Sequence, residues 1–207
     1  MRFALRGGLR DMVGWDRPDL VVSGINSGHN VANSVNDSGT VAAAITAIES
    51  GLPAVAFSTT SNAARIFDAR NYHATAEWGA RFLAGLRSRN LLGQHAFALN
   101  VNYPDVTSGE APKKAVWTSV GTGMLAWHGY GKQGDGSYTV GLSVCRDRAE
   151  CTESRDDADV PTVKGLSVSV APIGSDRTFG YEISPQDRRL LGDVKAYVGN
   201  DAPSPIG

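Results

Sequence analysis

The sequence has few of the features that would assign it quickly. Only two cysteines, Cys145 and Cys151, occur in 207 residues, separated by five residues in the polar segment CRDRAEC. Two thiols cannot complete a structural zinc site, and no histidine stands at ligand spacing from them. Two readings stay open for the pair: a small loop-closing disulfide, which hints at an exported relative, or two surface thiols. No window approaches the ~18 consecutive apolar residues of a membrane span. MRFALRGGLRDM also lacks the apolar stretch and small-residue cleavage site of a secretory signal. As written, the chain is expected to be cytoplasmic and away from the membrane, an exported form requiring a signal upstream.

An excess of charge of one sign is absent too. Twenty Lys and Arg nearly balance twenty-one Asp and Glu, so no large field exists to hold a polyanion by counterion release. That argues against sequence-read nucleic acid as a partner and leaves room for a small phosphorylated ligand. The four histidines, His29, His73, His95 and His128, have no ligand-spaced partners and form no metal triad. For each the expectation is a surface or internally satisfied ring, with His29 also open to a supporting or proton-donating role. Ser23 and Ser58 end strand-like runs without the G-x-S-x-G elbow of a nucleophilic serine. Asp156, Asp157 and Asp159 read as a solvated acidic loop.

What is present is an alternation of strand and helix. Leu5, Leu9, Met12 and Val13 fall at helical spacing before Pro18, which predicts a helix running into a turn. LVVSGI then predicts a central strand buried on both faces. Ser38 is an N-cap for a helix over 39–50 with Val41, Ala44, Ile45 and Ile48 on one face and Gly51 just beyond its end. PAVAFS (53–58) repeats the strand signature. Residues 71–89 repeat the helix signature, with Trp78, Phe82 and Leu86 four apart, and FALNVN (97–102) is a third strand. Such alternation is the pattern of an α/β fold with a parallel sheet covered by helices, whose ligands bind beyond the carboxyl ends of the strands. After Pro104, KKAVWTSV, SYTVGLSV and LSVSVAP are β-like runs with no evident helix between them, read as an antiparallel extension. Residues 186–198 form a final helix, and DAPSPIG reads as a frayed tail.

The connection SGINSGHNVANSVNDSGTVAAA (23–44) starts at a strand end and closes on a helix start. Asn26 has an amide oxygen that suits a hard cation or a ligand, or it closes an Asx turn on its own backbone. The Ser38-Gly39-Thr40 triplet offers unpaired N–H groups and the positive end of a helix dipole to an anion, as the start of any capped helix does. The two features gain weight from sharing one loop.

RPDLVVSGINSGHNVANSVNDSGTVAAA followed by GLPAVAFS resembles the SurE family of metal-dependent 5′/3′-nucleotidases and acid phosphatases. ALNVNYPD (98–105) and DADVPTVKGLSVSVAPI (157–173) resemble later family segments, so the likeness runs from about Leu5 to Ile173. The resemblance implies a Rossmann-like three-layer core with a β-rich extension: residues 1–104 a partial α/β core, 105–173 the extension and last core strand, and 174–207 a helix and tail. It implies hydrolysis of nucleoside monophosphates or similar phosphate esters at one Mg²⁺ or Mn²⁺ per subunit, in a homodimer or homotetramer. It assigns Asn26 to the metal, Ser38, Gly39 and Thr40 to the phosphate, and Gly28 and Asn30 to the shape of the pocket. The family's N-terminal strand with its Asp-Asp-Gly motif, and a later metal-binding serine, have no counterpart here. The expectation is therefore a family sequence whose start was truncated, with a half-built metal site and no catalytic acidic pair. The alternative is an inactive remnant that oligomerises or holds a nucleotide.

Overall fold

The computed structural model describes the whole chain except residues 63, 65, 94–95, 124–125, 145–151, 176–184 and 206–207, and the side chains of 126–128 and 142–144. The Cys145 and Cys151 pair thus lies outside the described residues, as do His95 and the ring of His128.

Runs rich in valine and alanine form the sheet. Strands β1 (Val21–Ser27), β2 (Ala54–Thr59) and β3 (Ala98–Asn102) are parallel neighbours. Two later strands extend the sheet: β4 (Ala115–Trp117) and β7 (Val168–Ile173), in the order β1-β2-β3-β7-β4. β7 runs antiparallel to β3, with Asn102 opposite Ser169, and β4 runs parallel to β7. The sheet is therefore mixed, and the α/β expectation holds with two reversed strands, β7 and β4. The remaining strands, β5 (Ala126–Lys132) and β6 (Tyr138–Val144), form a separate antiparallel hairpin.

Side-chain alternation along each strand sorts the core into two faces. Val55, Phe57, Leu99, Val101, Val168 and Val170 face helices α3 (Ala69–Ser88) and α5 (Pro185–Asn200), meeting Trp78, Phe82, Leu86, Val194, Tyr197 and Val198. Trp78 and Phe82 stack with ring centroids 4.8 Å apart. On the other face, Val21, Ala54, Ala56, Ala98 and Ile173 meet Val41, Ala44, Ala47 and Ile48 of α2 (Gly39–Glu49). The small alanines on both sides let α2 lie close to the sheet. Three layers result: α2, sheet, and α3 with α5.

Four expectations are corrected. The first strand is at the sheet edge, not its centre: β1 pairs with β2 alone among the described residues, and Val22 is 51% exposed. The N-terminal helical stretch, Ala4–Gly8 followed by α1 (Leu9–Val13), is kinked at Gly7. It buries only part of its apolar stripe: Leu5 packs beside α2, whereas Met12 and Val13 are exposed. A short helix, α4 (Asp159–Lys164), stands among the later strands, and Asp159 is fully buried, not a member of a solvated cluster. The C-terminal tail is docked: the Trp78 indole N–H donates to the Pro203 carbonyl at 2.9 Å, and the Tyr103 hydroxyl to the Pro205 carbonyl at 3.1 Å.

Candidate phosphate-binding site

β1 ends in a tight polar turn that returns over the sheet. Gly28 adopts φ +113, a conformation that favours glycine, and its N–H donates to Thr59 O at 3.0 Å across the strand ends. The Asn26 amide nitrogen donates to Gly28 O at 2.8 Å and to Asn30 Oδ1 at 3.3 Å. Both donors of Asn26 are thereby directed into its own loop, and its Oδ1 faces the other way, where it accepts the Thr40 hydroxyl at 3.3 Å. Asn26 and the start of α2, fourteen positions apart in sequence, thus meet side by side.

The start of α2 is built as an N-cap. Ser38 is extended (φ −86, ψ 120), and its hydroxyl accepts Val41 N at 3.1 Å while its carbonyl accepts Ala42 N at 2.9 Å. The Gly39 and Thr40 N–H groups remain at the helix end, where the backbone dipoles add a partial positive charge. A Cβ placed on Gly39 would meet nothing within 4 Å, so an anion can approach the backbone from that side.

Asn30 is buried beneath this turn and joins three strand ends. Its amide nitrogen donates to Ser58 Oγ on β2 at 2.8 Å, and its backbone N–H donates to Asn102 Oδ1 on β3 at 2.7 Å. Its carbonyl accepts from Asn100 Nδ2 at 2.7 Å and Asn102 Nδ2 at 3.1 Å. His29 is held on the same side, its Nε2–H donating to Tyr103 O at 2.8 Å. Desolvation of the ring lowers its pKa below the ordinary 6.5, against the Tyr103 carbonyl and the Asp105 charge. Burial thus favours the neutral form of His29. Asn100 and Asn102 were not singled out in the sequence, and Ser58 was weighed only as a nucleophile. The signal available was the pair of asparagines at alternate positions of FALNVN, a residue type depleted in strands unless it has partners.

The donor set does not by itself fit a hard dication. Asn26 offers one neutral oxygen, whereas Mg²⁺ or Mn²⁺ takes several oxygens including carboxylates. Among the described residues no group of three or more His, Cys, Asp or Glu is placed to hold a metal ion. What the arrangement can do is bind an anion by the backbone N–H groups at the start of α2 and the helix dipole. A cavity of about 750 Å³ lies elsewhere: Asn36, Val41, Ile45, Trp117, Arg155 and Lys195 are among its lining residues, and Asn26, Ser38, Gly39 and Thr40 are not.

The chain is similar to known proteins in sequence and in fold. A chain of Deinococcus radiodurans named 5′-nucleotidase SurE is 33% identical over 184 residues, 86% of this chain and 60% of its own length. The corresponding protein of Ehrlichia chaffeensis is 30% identical over 83% of this chain and 64% of its own length. The chain therefore spans somewhat under two thirds of these relatives. The crystal structure of the SurE protein from Aquifex aeolicus superposes with a TM-score of 0.55 at 20% identity, covering 95% of this chain and 71% of that one, which supports the fold. The family model described as survival protein SurE matches residues 3–126, more than half of the sequence. This chain belongs to the SurE family.

Proposed function

We propose that this chain carries the phosphate-holding wall of a 5′/3′-nucleotidase that hydrolyses nucleoside monophosphates and similar phosphate esters. The observation that carries the reading is the meeting of Asn26 Oδ1 with Thr40 Oγ1 at the capped start of α2. It brings the two halves of one loop together at the carboxyl end of the sheet, beside the N–H groups of a helix start, which supports anion binding there. The names of the Deinococcus and Ehrlichia relatives support the same chemistry. In this reading the Gly39 and Thr40 N–H groups bind the phosphoryl oxygens, while the Thr40 hydroxyl donates to Asn26 Oδ1. There they stabilise the charge that grows on those oxygens as the ester breaks. Asn26 orients Thr40 and presents its amide oxygen to the same space. The metal dependence implied by family resemblance, one Mg²⁺ or Mn²⁺ per subunit with Asn26 among its ligands, needs carboxylates beyond those gathered here, so no step is assigned to it. The exposed Tyr130, Tyr138 and Val140 of the β5–β6 hairpin support association into a homodimer or homotetramer.

That no carboxylates gather at this point among the described residues favours one second reading: a chain that holds a nucleotide without hydrolysing it. Calorimetric titration of the 207-residue protein with AMP, alongside a phosphate-release assay in Mn²⁺, separates the cases. Binding that Thr40→Val weakens by up to about tenfold, the loss of the hydrogen bond that holds Asn26 against the helix start, is expected. Release of phosphate would establish hydrolysis, and binding without release the holding role. Absence of any AMP affinity would remove both readings.

A further inference from the structure

We infer that Asp159 is a positioning residue for this site: its buried carboxylate, reaching from α4, fixes the Ala32–Asp37 turn that carries the chain from Asn30 to the start of α2. The inference rests on the phosphate-binding reading for its functional half and on hydrogen bonding alone for its structural half.

The Ala32–Asp37 segment is a 3₁₀ turn whose preceding residue is Val31, which has no side-chain oxygen to cap it. The first N–H groups of a helical turn have no partner within it. Here they are satisfied from far away in sequence. Ala32 N donates to both carboxylate oxygens of Asp159, at 3.3 and 3.2 Å, and Asn33 N donates to Gly123 O at 3.3 Å. Ala32 is also held at φ +47, a left-handed conformation that a non-glycine residue keeps only where its surroundings impose it.

The anchor is itself rigid. The Asp159 carboxylate also accepts Gly121 N at 3.0 Å, joining the turn to the loop after β4. Glu153 braces that loop by accepting Thr122 N at 2.6 Å and Gly123 N at 3.0 Å. Asp159 N donates to Ser119 O, and Ser119 N to Asp157 O, each at 2.9 Å. Gly121 is required for the approach, because a Cβ there would stand 3.1 Å from Asp159 Oδ1 and closer still to Glu153. The turn is thus tied at one end to β2 and β3 through Asn30 and at the other to α4 through Asp159, and α2 begins directly after it. The two ties set where Ser38, Gly39 and Thr40 stand relative to Asn26.

Asp159→Asn keeps the volume and one acceptor but turns an N–H₂ group toward backbone donors. Amide hydrogen exchange and calorimetric titration with inorganic phosphate, on the 207-residue protein, test the assignment. The variant is expected to exchange about tenfold faster at Ala32–Asp37 and Gly121, with unchanged protection at Leu99, Val101 and Val170, and to bind phosphate about tenfold more weakly, the scale of one lost hydrogen bond. Gly121→Ala should reproduce the local effect with every charge retained. Unchanged exchange in the turn would overturn the proposal, and so would uniform acceleration across the core strands, which marks a general structural role. If the unsubstituted protein binds no phosphate, the functional reading fails, while the exchange pattern still decides the anchor.

Discussion

Asn30 shows what a single side chain contributes here. With Asn100, Asn102 and Ser58 it satisfies polar groups at the ends of three strands that would otherwise be buried without partners. Two titrating neighbours act in opposite senses. Burial depresses His29, so its contribution to stability is present above the ordinary histidine pKa and is lost as pH falls through its lowered value. Burial raises Asp159 to about 6, against the opposing effect of the Gly121, Ala32 and Val160 N–H groups. Its contribution is full below the ordinary carboxylate range and is lost as pH rises through about 6. The two effects offset each other on acidification. His29→Gln should therefore lose less stability than the parent between pH 7 and about pH 5, and Asp159→Asn should lose more, by up to roughly 3 kcal/mol towards pH 4. Thermal unfolding across that range checks both signs.

At the level of elements, α2 serves the core and the site at once. Val41, Ala44, Ala47 and Ile48 hold its flank on the sheet, which fixes where its N-terminus points. The Ser38 hydroxyl closes the first turn at Val41 N. Ser38→Ala should lower stability by about 1 kcal/mol, and Ser38→Gly by only a few tenths, because glycine leaves the cap backbone free to take up water. Midpoints of urea unfolding give the comparison. If the alanine and glycine variants were equally unstable, the hydroxyl would not be acting as a cap.

Across the molecule, distant segments complete one another. α3 and α5 cover one face of the sheet, and the chain end closes over Trp78 and Tyr103 through the Pro203 and Pro205 carbonyls. Deleting the residues after Asn200 would leave the indole N–H and the tyrosine hydroxyl without these acceptors, at about 1–3 kcal/mol for each buried donor. A fall of several degrees in the thermal midpoint is the expected result. An unchanged midpoint would mean that the tail contributes nothing to the core. The opposite sheet edge carries exposed Val22, and Trp15 and Met12 are exposed in the segment preceding β1. Among the described residues the sheet therefore ends on β1, whose outer edge is unpaired.

Much of this protein was legible in the order of its residues. The strand, helix, strand pattern, the Ser38 cap and the Trp78, Phe82 and Leu86 stripe depend on local periodicity and backbone chemistry, so β1 to β3, α2 and α3 could be placed from sequence. The two ends of the site could be named for the same reason: strand ends and helix starts expose characteristic polar groups wherever they occur. Their meeting could not be, because the contact between Thr40 and Asn26 depends on the path of the loop between them. Asp159 was misread because burial is decided by what packs on a residue. Its partners, Ala32 and Gly121, lie 127 and 38 positions away. The reversal of β7, the edge position of β1 and the docked tail are equally matters of tertiary pairing. Sequence determined the elements and the residue chemistry, since both act over a few residues. Only the fold decided which polar groups would be taken out of water together, since that depends on contacts between segments far apart in the chain.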